Sequence, residues 1–463
     1  MNLLHTLTQA ADEEQLRLNP LPQHAAAAQE EHLRWHYALL LAATLTAQPA
    51  ISEAQTRLLR LLLDALQLGD IRGELFEKAR DLTPETLLEA ARLVRDAGFA
   101  YHLVVDALVL LRLDAPLSED AARLVVELAA FLGLDEAELA RCAATVCDIL
   151  DLRADDEAAA SDPRAPSVSP VAQSWPARLP QPLTQAALQH GLDGGLWVLE
   201  ADLAVDFPWQ ATDAWLVFRN GATLNTFAKT GEVKLTGCRL VDAALQFQGA
   251  CAITLERCDW AGDYDPTLQR IALHSLGQPV TVTHCQFSTR NARAIAVLDA
   301  ALTLTGSRFT RCGHPELNGG AVWHGENDGE NDGENDRTIT DCTFDRCVAA
   351  RGGAIWTRLL FGIERCEFIA CQSLALEDQE AGDVAVFTGE QVCGDPAVAH
   401  CVFRQTSLVI GNSAWWGHNG HNTFVKNSQF LNGNLYYFNK YSSNTIASEC
   451  TFDGGKIIER QFA

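Results

Sequence analysis

Positive charge is scarce in this chain. Lysine and arginine number 35 against 60 aspartates and glutamates, a formal net charge of −25 over 463 residues. Sequence-independent grip on DNA or RNA depends on Lys and Arg neutralising phosphates, so nucleic acid is set aside as a partner. The same deficit disfavours docking on an anionic membrane surface. Long apolar runs are also missing. The longest, YALLLAATLTA, is too short to cross a bilayer, so no direct membrane insertion is expected. The opening MNLLHTLTQAADEEQ carries neither a basic n-region nor an apolar h-region. A cytoplasmic location is the expectation that follows.

Cysteine, by contrast, is plentiful. Fourteen would suggest a disulfide framework in a small secreted chain, whereas a cytoplasmic protein keeps its thiols reduced. Twelve of them fall after residue 237, so they need a local explanation. The hydrophobic fraction of 48% and charged fraction of 21% are those of an ordinary chain able to bury a core. Its length allows two or three domains.

Residues 1–150 read as all helix. Ser52 with Gln55 three residues later forms a capping-box pattern, and Thr83 before Pro84 places an N-cap ahead of a first-turn proline. Leu124, Val125, Leu128 and Leu132 share one helical face, and Asp135 with Glu138 opens another box. Short connections between such helices predict a compact bundle. Two stretches, TAQPAISEAQTRLLRLLLDALQL and LRLDAPLSEDAARLVVELAAFLGLDEAEL, are similar halves. On them the region resembles the TerB-like domain of tellurite-resistance and stress-response proteins. In that family each half carries an Asp-Gly and an acidic helix position, proposed to form an acidic, metal-binding surface. Here Gln48-Pro49 and Gln55 stand in the first half, and Ala115 and Ala121 accompany Asp114 in the second. The resemblance therefore implies the fold and no metal or cofactor.

From 151 to 185 the composition turns to Ala, Pro and Ser (DDEAAASDPRAPSVSPVAQSWPARLPQPLTQ), which predicts a semi-extended linker.

Residues 186–463 contain a repeat in the frame apolar-x-apolar-x-x-Cys-x-Phe. It fits Val233, Leu235, Cys238 and Leu240, then Ile253, Leu255, Cys258 and Trp260, then Val280, Val282, Cys285 and Phe287. Leu302, Leu304, Ser307 and Phe309 continue it, as do Phe361, Ile363, Cys366 and Phe368. Partial copies surround Cys342, Cys401, Ser428 and Cys450, with anchors 20 to 35 residues apart. That period suggests a solenoid. Residues two apart share a strand face. The following gap of three would invert the facing unless the chain turns a corner there, and a small Cys or Ser sits just inside it. The pattern predicts a right-handed parallel β-helix with coils about 4.8 Å apart and interior ladders of Cys and Phe. The Cys ladder comprises Cys238, Cys258, Cys285, Cys342, Cys366, Cys401 and Cys450, with a second column of Cys312, Cys347 and Cys371. Two glycine turns, GGAVW and GGAIW, follow that second column, with GDVAVF as a degraded copy. These features resemble the repeats of polymorphic outer-membrane proteins and the wider pectin-lyase-like β-helix group. The resemblance implies fold rather than activity, because the architecture hosts enzymes, adhesins and scaffolds.

Candidate chemistry is weighed against packing. GENDGENDGEND, residues 325–336, falls between coils and reads as a solvated loop rather than a calcium site, since it lacks EF-hand spacing. The pairs Cys342/Cys347 and Cys366/Cys371 place both sulfurs inside, so thiol packing is expected and no metal. His32 and His36 share a helix face without a third ligand nearby. Asp259, Asp263 and Asp265, then Asp341 and Asp345, are the carboxylates that a polysaccharide-cleaving reading would use. Near the last coils, Trp415, Trp416, His418, His421, Tyr436 and Tyr437 form an aromatic cluster, read either as a binding surface or as a C-terminal cap. The leading expectation is a non-catalytic interaction or scaffold protein with a protein partner. The alternative is a carbohydrate-active enzyme with a helical docking module; an acidic DNA mimic ranks third.

Overall fold

The computed structural model describes residues 20–69, 71–150, 152, 170–325, 337–359, 362–374, 384–391, 397–413, 423–440 and 445–460. The chain forms two compact units, Met1–Pro180 and Gln181–Ala463.

The first unit is helical. Helices Glu31–Thr46 and Ala100–Arg112 are buried over most of their residues, as apolar composition on every side requires. Amphipathic helices Glu53–Ala65, Pro84–Asp96, Glu119–Phe131 and Glu136–Ile149 present one apolar face each to the same core. Their starts follow local capping chemistry. Ser52/Gln55 and Asp135/Glu138 make reciprocal capping boxes, and the Thr83 and Ser118 hydroxyls accept from the Thr86 and Ala121 N–H groups.

Gln55 also donates to the Leu110 carbonyl (3.0 Å), and the Ser52 hydroxyl donates to Asp114, so residues at the positions compared with the metal-binding family tie the two halves together. His36 Nδ1 donates to the His32 carbonyl (2.8 Å), with the two rings edge to edge.

This unit does not end at residue 150. A short helix, Pro170–Ser174, leads into Trp175 and Leu179, 4% and 5% exposed within the helical core. Within the stretch 151–185, residues 170–179 therefore belong with the helical core, because an indole and a leucine offer enough apolar surface to offset the entropy of fixing the chain.

The second unit is a parallel β-solenoid with sheets of twelve, eleven and eleven strands among the described residues. Each coil adds a strand to each sheet in parallel register, with shifts in the second sheet where strand Val384–Gln391 meets its neighbours. In the third sheet Val233, Ile253, Val280 and Leu302 stack in one column, and Leu235, Leu255, Val282, Leu304, Ile339 and Ile363 in the next.

The corner before each anchor has a simple backbone cause. The residue preceding the anchor is left-handed in every coil: Gly237, Arg257, His284, Gly306, Asp341, Arg365, His400, Asn427 and Glu449, with φ between 48° and 64°. That turn redirects the chain, so the anchor side chain stays inside despite the three-residue gap.

Beyond the corner, Trp260, Phe287, Phe309, Phe344, Phe368, Phe403, Phe430 and Phe452 stack face to face. Centroids lie 5.6 Å apart at the first step and 4.8–5.0 Å thereafter. Gln185–His190, a helix whose Leu188 is buried in this core, lies before the first coils.

The two GGA turns are architecture. Gly319 and Gly352 are left-handed (φ 68° and 60°), and a Cβ on Gly320 would collide with the Gly353 carbonyl of the next coil. Only glycine lets the coils nest there. Of GENDGENDGEND, Gly325 closes strand Val322–Gly325, and the remaining residues lie outside the described ones.

Candidate functional site

Along the strand after each GGA turn, side chains alternate. Val322 and Ile355 point into the core, so Trp323 and Trp356 point out from the second sheet. They are register partners on adjacent coils, and their rings lie parallel (5°) with centroids 5.8 Å apart. On the other side of Trp323, one coil earlier, the Arg293 guanidinium lies 5.3 Å from the ring centroid. Both faces of Trp323 are therefore taken, one by a cation–π contact and one by an indole. What remains for an incoming group is the ring edge, where the quadrupole is positive. Gly325 makes this packing feasible, since a Cβ there would strike the Trp323 ring.

Arg293 itself is only 7% exposed. Its Nε donates to the Asn318 carbonyl (2.9 Å) and the Gly319 carbonyl (3.3 Å), and Nη2 to Asn318 (2.6 Å). These bonds tie the guanidinium to the tight turn ahead of Trp323. Burial alone brings its pKa down to about 9. Nη1 has no hydrogen-bond partner among the described residues. His274 stands half-buried in the same outward column, register partner of Ala296, which pairs in turn with Trp323. Burial first, and the charge of Arg293 second, hold His274 below the usual histidine value. Trp356 Nε1 is buried without a hydrogen-bond partner among the described residues.

Trp415, Trp416, His418 and His421 lie outside the described residues. Tyr436 is 4% exposed and its hydroxyl accepts from Asn434 Nδ2 (3.1 Å), while Tyr437 is half-buried against the solenoid core. Neither tyrosine offers a fully exposed contact ring.

The sulfurs of Cys238, Cys258, Cys285, Cys312, Cys342, Cys347, Cys366, Cys371 and Cys401 are buried, and Cys450 is half-buried. They form no disulfide and donate to the backbone: Cys366 Sγ to Ile339 O (3.6 Å) and Glu364 O (3.3 Å), Cys371 Sγ to Phe344 O and Ile369 O (both 3.5 Å). Burial pushes the Cys347 thiol well up, away from nucleophilic use.

The carboxylates singled out by sequence are held by neighbours. Asp259 pairs with Arg239 (3.8 Å) and Asp263 with Arg290 (3.6 Å), Asp263 also accepting from Asn291 Nδ2 (3.1 Å). Asp265 accepts from the Thr267 hydroxyl and N–H, which hold its carboxyl below the usual range. Asp341 takes a two-pronged contact from Arg365 (2.7 and 3.0 Å), and Asp345 one from Arg346 (3.0 and 2.8 Å).

Sequence reasoning passed over Trp323, Trp356 and Arg293. The signal was present for the tryptophans: in AVWH and AIWT the residue after the core Val or Ile must face outward. Nothing local could place Arg293 beside them.

Comparison with protein-family models, with curated proteins and with solved structures finds no match.

Proposed function

We propose that this is a non-catalytic interaction protein whose solenoid presents a binding surface, centred on Trp323, Trp356 and Arg293, to a protein partner. The observation that carries the reading is the paired indole edge beside a buried guanidinium on the outside of the second sheet. Trp and Arg are the side chains that most often anchor protein interfaces. Because both faces of Trp323 are occupied, a sugar ring has no open face of that indole to stack on.

The TerB-like resemblance of the helical unit and the pectin-lyase-like resemblance of the coils support a scaffold in a cytoplasmic stress response. That no helix among the described residues is long and apolar enough to cross a membrane agrees with that setting. The test is capture of partners from the native host with each unit used separately. Capture by the solenoid, lost on changing Trp323 and Trp356 to Ala, supports the reading; capture by the helical unit alone contradicts it.

A second reading, a carbohydrate-active enzyme, draws on Asp242. This residue stands one coil before Asp263, and its carboxylate accepts from the Asp263 N–H (3.1 Å). Partial desolvation first, then the neighbouring Asp263 charge, hold its carboxyl above the usual range against that hydrogen bond. A pair of neighbouring carboxyl groups, one of them with a raised pKa, is the arrangement that glycoside cleavage uses. Glycan cleavage abolished by Asp242→Asn would favour it.

A further inference from the structure

We propose that the outer face at Arg293 is a carboxylate-binding site, filled by an acidic side chain of the protein partner. This deepens the interaction reading above and rests on it. Other arginines of the solenoid carry a carboxylate: Arg239 has Asp259, Arg290 has Asp263, Arg346 has Asp345, Arg365 has Asp341 and Arg404 has Glu367. Those five are at the surface, where a counter-charge matters least. Arg293 is far more buried, and among the described residues no carboxylate pairs with it. A desolvated charge with neutral partners alone is the costlier arrangement.

The geometry states what is missing. The Nε side of the guanidinium is pinned by the Asn318 and Gly319 carbonyls, and Trp323 fixes its plane from one side. The Nη1–Nη2 edge is left, two N–H groups side by side, which matches the two oxygens of a planar carboxylate. Trp356 Nε1, one coil on, is a further buried donor with no acceptor among the described residues. His274 stands two coils before Trp323 in the same outward column.

A phosphate matches the same fork, but it would bring a second charge to a chain already at −25. The net charge does not forbid a carboxylate. Exposed charges are screened beyond about 8 Å at physiological ionic strength, whereas a guanidinium in a dry setting is screened little.

The experiment is calorimetric and indole-fluorescence titration of the full chain with a capped triglutamate peptide at physiological ionic strength. Inorganic phosphate serves as the comparison. One saturable peptide site, weakened about tenfold or more by Arg293→Lys because the fork is lost, is the expected result. Arg293 also ties down the 318–319 turn, so His274→Glu gives an independent check. It sets a carboxylate beside the guanidinium, and should block the peptide while raising the melting temperature. No saturable binding, binding indifferent to Arg293→Lys, tighter binding of phosphate, or an unchanged or lower melting temperature in His274→Glu would each overturn the assignment. If triglutamate fails while partner capture still requires Trp323 and Trp356, this inference falls and the interaction reading stands. If capture survives loss of both tryptophans, the interaction reading falls first.

Discussion

Each interior cysteine of the solenoid solves a local problem: a small side chain must fit behind a corner, and its polar hydrogen must find a carbonyl there. Serine does the same at Ser307 and Ser428, both fully or nearly fully buried, each bonding to the carbonyl two residues back. Cysteine predominates because sulfur adds apolar contact that a hydroxyl lacks. A thiol reagent should therefore label exposed Cys147 at once and the ladder only after denaturation; rapid native labelling of Cys342, Cys366 and Cys401 would contradict the interior stack. Cys366→Asp should unfold the solenoid by burying an unpaired charge. Phe368→Ala, which removes one ring from the middle of the aromatic ladder, should cost about 3–5 kcal/mol in denaturant unfolding.

The corners are written in backbone rather than in side chains, and this set the limit of what sequence could tell. The frame of apolar pairs and small anchors implied that the chain turns between them. The composition of the corner did not reveal how, since Arg and His are as common there as Gly, and Asp, Asn and Glu also occur. A left-handed φ costs a residue with a Cβ roughly 1–2 kcal/mol, evidently offset by the ladders on either side. Ala370, at φ 47°, has no side chain able to bond back to the turn. Ala370→Gly should thus raise stability by a few tenths to about 1 kcal/mol, after the larger unfolded-state entropy of glycine is subtracted. A fall in melting temperature would mean the corner is not strained.

Helix Ala100–Arg112 carries a different buried device. Asp106, 1% exposed, accepts from His24 Nε2 (2.9 Å), the Tyr37 hydroxyl (2.7 Å) and Trp175 Nε1 (2.7 Å). His24 Nδ1 accepts from the Ala26 N–H. His102, one turn earlier, has its pKa brought down to about 4 by burial, against the attraction of Asp106. Above the unfolded value of about 6.5 both states are neutral and His102 has no effect on stability. Between there and 4 only the unfolded chain takes up the proton, so stability falls as pH drops through that window. The loss is at most about 3 kcal/mol at 1.36 kcal/mol per unit. Denaturant unfolding at pH 7 and pH 4.5 should show the fall in the wild type and much less of it in His102→Gln. An equal fall in both would assign it to other groups.

The molecule as a whole is two units with separate cores, and the sequence marked both through periodicity: 3.6 in the first, a long coil repeat in the second. It misplaced the boundary because the partners of Trp175 are far away in the chain. Composition saw Pro, Ala and Ser between 151 and 185, whereas the indole of Trp175 reaches Asp106, 69 residues earlier. A fragment of residues 20–180 should accordingly be more stable than one of 20–150, by roughly the 3–5 kcal/mol of a buried tryptophan. Equal stability would return residues 170–180 to the linker. The candidate surface was hidden for a similar reason. Trp323 and Trp356 could be read outward from alternation, yet their pairing and the Arg293 between coils exist only once the coils stack in register.

The account's central claim is that the outer face of the second sheet is where this protein binds. The most direct measurement compares partner capture by the full chain with capture by the Trp323→Ala/Trp356→Ala variant, each beside its thermal melt. The account predicts that capture is abolished while the melt moves by only a few degrees, since an exterior stack and one cation–π contact contribute about 1–2 kcal/mol. Capture undiminished in a folded variant would contradict it.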